Sequence, residues 1–184
     1  MKKVFFVLIF SGLILSFAAA QQTAAQPAAE LTFTFTRQGG AASNQFAIWI
    51  ENAQGQYIKT IYAARYTADG GWRPRKTSLP TWVRKSDVAS MTKPQVDALT
   101  AATPRSGNLS YTWDGTNSSG AAVPAGNYVI YLEGTLRWTD QVVYSAPIRL
   151  GQGPASPEVN VEYTGNAEPA ARAMISNVRV RTLR

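Results

Sequence analysis

Basic and aromatic residues crowd one stretch of the chain: Trp72, Arg73, Arg75, Lys76, Trp82, Arg84 and Lys85, with Arg105 following. Guanidinium and ammonium groups beside indole rings can meet a phosphate or carboxylate, stack on a flat ring system or steer an anionic partner. The same residues also read as a solvated basic loop with both tryptophans packed against the edge of the fold. Beyond Leu99 the side chains shrink. Thr100, Ala101, Ala102 and Thr103 carry nothing larger than hydroxyls and methyls. Pro104 and Gly107 place Thr103 just past a predicted short helix, on exposed, bendable chain where a hydroxyl can be reached.

The missing residue types narrow the chemistry further. Among 184 residues there is no His and no Cys, which removes a Ser-His-Asp triad, a thiolate nucleophile, imidazole or thiolate metal ligands and disulfides. Paired-carboxylate hydrolysis would have to draw on 11 scattered Asp and Glu residues, and no pair falls where a shared cleft can be argued. Asp69 and Asp87 are isolated, without the Asp-rich spacing of a calcium loop, so no metal site is expected. The composition points away from an enzyme.

The N-terminus reads as an export signal. Met1-Lys2-Lys3 is cationic, Val4 to Phe17 is apolar, and Ala18-Ala19-Ala20 offers small residues for cleavage after Ala20. The apolar run is short for a membrane span, and no later segment replaces it, so no transmembrane segment is expected once the signal is removed. Loss of Lys2 and Lys3 lowers the net charge from +7 to +5. That modest charge, with no recognition helix, argues against nucleic acid as a partner. The expected compartment is the periplasm or the cell exterior.

Strands must position the candidate residues. Residues 21–29 form a polar, Ala-rich segment read as a flexible leader, and a single domain is expected over 30–184. Leu31, Phe33 and Phe35 alternate with threonines, as in a half-buried strand. Phe46–Ile50 and Tyr57–Tyr62 form a predicted hairpin around Asn52-Ala53-Gln54-Gly55, with Gly55 suited to positive φ. Further strands are predicted over Leu109–Trp113, Tyr128–Glu133, Val142–Leu150, Val159–Tyr163 and Ile175–Thr182. Trp49 and Trp138 fall in or beside such runs and read as packing residues. About eight strands without βα alternation predict an all-β antiparallel sandwich. A long, partly helical basic insertion spans about 65–108, with a helix over Lys93–Leu99. An excursion of this length is expected to carry function.

Three resemblances follow from particular residues. Tyr111-Thr-Trp113-Asp114-Gly115, continuing through Val123-Pro124-Ala-Gly126-Asn-Tyr128, is similar to the W-D-G turn of Ig-like domains such as that of the flagellar hook-capping protein, and implies an Ig-like sandwich. The L-T-F-T-F-T start, the F-A-I-W-I-E and G-x-Y-I-K-T-I-Y hairpin, the S-L-P-T-W segment and the W-D-G turn together resemble an uncharacterised family of predicted periplasmic proteins. Asp97-Ala98-Leu99-Thr100-Ala101-Ala102-Thr103 resembles the D-x-x-[S/T]-G-A-[S/T] acceptor sequence of periplasmic flavin transferases. It departs at Ala101, where Gly or Ser is commoner.

The last resemblance implies FMN joined to Thr103 through a phosphoester, with Asp97 as the acidic recognition residue and Thr100, Ala101 and Ala102 as the small-residue approach. A transferase must bring a pyrophosphate beside the hydroxyl, so its neighbours must be small. The function expected is a secreted, non-enzymatic electron carrier served by a flavin transferase and extracytoplasmic redox partners. The alternative is a cofactor-free Ig-like interaction module binding a periplasmic protein or glycan through the Trp72/Trp82 basic face.

Overall fold

The computed structural model describes residues 27–40, 42–166 and 168–184; the signal call at 1–20 and most of the leader fall outside them. Strand β1 (Ala29–Phe35) alternates as its sequence requires, with Ala29, Leu31, Phe33 and Phe35 buried. It is the central strand of a three-stranded sheet, between β5 (Gly107–Trp113) and β9 (Ile175–Thr182). Two residues read as the end of the leader belong to the fold. Ala28 and Ala29 are fully buried, and the Ala28 N–H donates to the Trp113 carbonyl at 2.7 Å. An alanine can line a tight interior as readily as a flexible tail, so composition alone does not separate the two.

The second sheet has six strands in the order β4-β3-β2-β6-β7-β8. Strands β2 (Ala42–Asn52) and β3 (Tyr57–Ala64) form the predicted hairpin. Asn52 Oδ1 accepts the N–H groups of Gln54 and Gln56, and Gly55 takes φ +73°. Strands β6 (Gly126–Arg137), β7 (Asp140–Leu150) and β8 (Asn160–Thr164) continue as an antiparallel meander. Two-residue β4 (Thr100–Ala101) runs parallel to the end of β3. The β5–β6 connection is built as its residues dictate: Asp114 Oδ1 accepts from the Thr116 N–H at 3.0 Å, and Gly115 takes φ +75°.

The sheets enclose a core of Phe33, Phe35, Phe46, Trp113, Ile130 and Leu132 among others. Each large apolar side chain buried there contributes about 2–3 kcal/mol. The architecture nevertheless has three layers. The 65–99 segment does not project as a loop but folds over the outer face of the six-stranded sheet, forming a second core from Trp49, Leu79, Trp82, Val88 and Val96. It contains helices α1 (Pro80–Ser86) and α2 (Lys93–Leu99), with short helical turns at Thr67–Gly71 and Val88–Ser90. Helix α2 starts where predicted: the Gln95 side chain accepts the Thr92 N–H at 2.8 Å, and Pro94 occupies the first turn. Leu79, before α1, offers no side-chain cap. Buried Glu133 of β6 substitutes, its carboxylate accepting the Thr81 and Trp82 N–H groups at 3.0 and 2.7 Å.

Candidate functional site

Helix α2 ends at Leu99, and β4 registers Thr100 with Ala63 and Ala101 with Ala64. Residues 102–106 then cross from one sheet to the other. The crossover is fastened at two points: the Tyr62 hydroxyl donates to the Ala102 carbonyl at 3.4 Å, and Ser106 Oγ accepts the Arg37 N–H at 2.9 Å. Ala101 and Ala102 are exposed, while Thr103, between the two fastenings, is half-buried on irregular backbone. The two threonines differ. Thr100 Oγ1 is sealed from solvent without a partner. The half-buried Thr103 makes no side-chain hydrogen bond among the described residues.

Asp97 sits exposed on α2, 2.9 Å from Lys93 and 3.2 Å from Arg65. The Lys93 hydrogen bond, with the charges of Lys93 and Arg65, holds its carboxyl below the ordinary value despite some desolvation. Beneath the crossover, the Tyr62 and Tyr111 rings lie 5.1 Å apart, and Tyr62 stacks on Phe46 at 4.6 Å. Burial raises the Tyr62 phenol far above its ordinary value and pushes Tyr111 up to about 12, so this floor stays uncharged. Tyr66, two residues beyond Ala64, is half exposed. Its ring lies so close to the Gly71 backbone that a Cβ there would come within 2.6 Å of it.

The basic aromatic residues do not form one surface. Trp82 is fully buried beneath α1, its Nε1 donating to Thr60 Oγ1 at 2.9 Å, so it is withdrawn from the expected face. Its indole belongs to the second core with Trp49, Leu79 and Val96. Arg73 and Lys76 both lie over the half-buried Trp72 ring, each 5.2 Å from its centre. Arg75 covers a different ring, Trp138, at 5.4 Å. Trp138 does not pack inside as its neighbouring strands suggest; it occupies the β6–β7 turn with 66% of its surface exposed. Lys85 is engaged by buried Glu51 at 2.8 Å, whereas Arg84 and Arg105 are exposed, Arg105 on the crossover itself.

A further depression, about 410 Å³, opens on the outer face of the six-stranded sheet beside α1. Tyr131, Ser145 and Glu162 reach it from three strands. No local pattern marks them; the strand order brings them together. Among the described residues, no group of three or more acidic side chains is placed to hold a metal ion.

A family model described as Predicted periplasmic protein (DUF2271) matches residues 28–168, spanning the insertion, β4 and the crossover. The chain belongs to this family. The periplasm is therefore its compartment, and among the described residues no helix is long and apolar enough to cross a membrane. No curated protein and no solved structure matches the chain.

Proposed function

We propose that this DUF2271 member is a non-enzymatic electron carrier with FMN attached to Thr103. What supports this most is the contrast within the acceptor segment: a half-buried Thr103 without a side-chain hydrogen bond, preceded by exposed alanine methyls, against a sealed Thr100 oxygen. Thr103 Oγ attacks the FMN-side phosphorus of flavin adenine dinucleotide. The pyrophosphate P–O bond breaks, AMP departs, and the hydroxyl proton passes to a base of the transferase. Exposed Asp97 offers the transferase a carboxylate six residues upstream, on the last turn of α2, kept ionised by Lys93 and Arg65. Ala101 adds only a methyl to the approach. Exposed Arg105, two residues on from Thr103, offers a cation for the bound group. Once bound, the flavin supplies one- and two-electron transfer, and the protein supplies position and electrostatics.

Co-expression of the mature chain with a flavin transferase, followed by intact mass measurement, tests the proposal. The expected gain is one FMN less water, absent in Thr103→Val; no gain, or a gain surviving that substitution, contradicts it. The interaction-module reading draws on one observation, the exposed Trp138 ring covered by Arg75. A colourless purified protein that retains a periplasmic protein through Trp138 would favour it.

A further inference from the structure

The outer face of the six-stranded sheet carries a built slot. Trp49 of β2 registers with Tyr131 of β6, and their rings stack 4.9 Å apart with planes 10° from parallel. Trp49 is fully buried, and its Nε1 donates to Glu51 Oε1 at 2.8 Å, so it backs Tyr131 rigidly. On the other side of Tyr131 the register places Ser145 of β7. A serine is too small to cover the second face of a tyrosine ring. The open space is the 410 Å³ depression, floored by Val143 and Ser145, with Arg84 from α1 and Glu162 from β8 on its walls. Its size falls in the range of roughly 300–1,000 Å³ usual for ligand pockets.

The charges select the ligand. Lys85 neutralises Glu51 at 2.8 Å, leaving one cation, Arg84, and one anion, Glu162, lining the opening. An anion would meet Arg84 but be repelled by Glu162. A flat apolar heterocycle would fill the slot yet desolvate both charges without pairing them. A pyranose meets all three demands. Its C–H face packs on the negative face of an aromatic ring, and its adjacent hydroxyls accept from a guanidinium while donating to a carboxylate. We propose that the slot between Tyr131 and Glu162 binds a neutral pyranose of a periplasmic or cell-envelope glycan. This site is independent of Thr103 and of any flavin.

A glycan array carrying neutral hexose and N-acetylhexosamine oligosaccharides beside sialylated and sulfated ones tests this with the mature chain. Retention of neutral oligosaccharides is expected, followed by titration of the best-retained one in solution. Tyr131→Ala should weaken that binding at least about fivefold, the scale of a lost ring contact. Ser145→Phe, which fills the slot from an outward strand position, should abolish it. Thermal melts establish that each variant is folded, and if Tyr131→Ala is not, Ser145→Phe decides. Retention of no neutral glycan, retention confined to anionic glycans, or unchanged binding in folded Ser145→Phe would overturn the proposal.

Discussion

The two faces of the six-stranded sheet are held by different physics. Its inner face meets the three-stranded sheet through Phe46, Ile48, Ile130 and Leu132, a largely apolar contact. Its outer face holds the insertion through polar anchors as well. Glu133 caps α1, Thr135 Oγ1 accepts the Leu79 N–H at 2.9 Å, and Thr60 accepts from Trp82. Buried Glu51 adds bonds to Trp49 and Lys85. Apolar burial is non-directional, whereas a carboxylate aimed at two helix N–H groups fixes both position and orientation. The sandwich thus supplies stability, and the polar outer face sets where α1, α2 and ultimately β4 lie.

Breaking each face separately sharpens this contrast. Trp113→Ala, in the inner core with its Nε1 bonded to the Thr116 carbonyl, should cost about 4 kcal/mol in denaturant unfolding and weaken the whole molecule. Glu133→Ala leaves two N–H groups at the start of α1 unpaired and should cost about 3 kcal/mol. Hydrogen exchange should then accelerate over 78–99 while β1 and β6 stay protected; uniform acceleration would merge the two layers into one cooperative unit. Lys85→Ala strands the buried Glu51 carboxylate. Because Lys85 is about one-third exposed and water can partly replace it, the cost should be about 2 kcal/mol rather than that of a sealed pair.

The pH dependence has a definite sign. Burial raises the Glu133 carboxyl above its ordinary value, although the Thr81 and Trp82 N–H groups oppose the shift. The folded state therefore holds this proton more tightly than the unfolded state. Its contribution is present below the unfolded carboxylate value and is lost as pH rises through the raised folded value. Melting midpoints measured across that window should show this loss in the native protein, and Glu133→Gln should remove that part of the slope. The smallest effect belongs to Lys93→Ala. Its pairs with Asp69 and Asp97 are exposed, so the melting midpoint should stay in place.

The inner face was legible because strict alternation at Leu31, Phe33 and Phe35 admits one orientation. The Asn52–Gly55 turn and the α2 span Lys93–Leu99 were legible because each signal acts within a few residues. The outer layer was not. Trp82 resembles Trp72 in local sequence, but the strand that buries it lies some fifty residues away at Glu133 and Thr135. The Tyr131 slot has the same cause: Ser145 and Glu162 meet it through strand register, which no single segment encodes. Residues 97–103 carry a resemblance in sequence alone, whereas the sealing of the Thr100 oxygen depends on the β3–β4 pairing, which that stretch does not encode.

That last difference admits the most direct measurement. Mature chain co-expressed with a flavin transferase should yield, after proteolysis and mass spectrometry, FMN on Thr103 alone. The modification should persist in Thr100→Val and vanish in Thr103→Val. An unmodified peptide spanning residues 97–105, or FMN carried on Thr100, would contradict the assignment of Thr103 as the attachment oxygen.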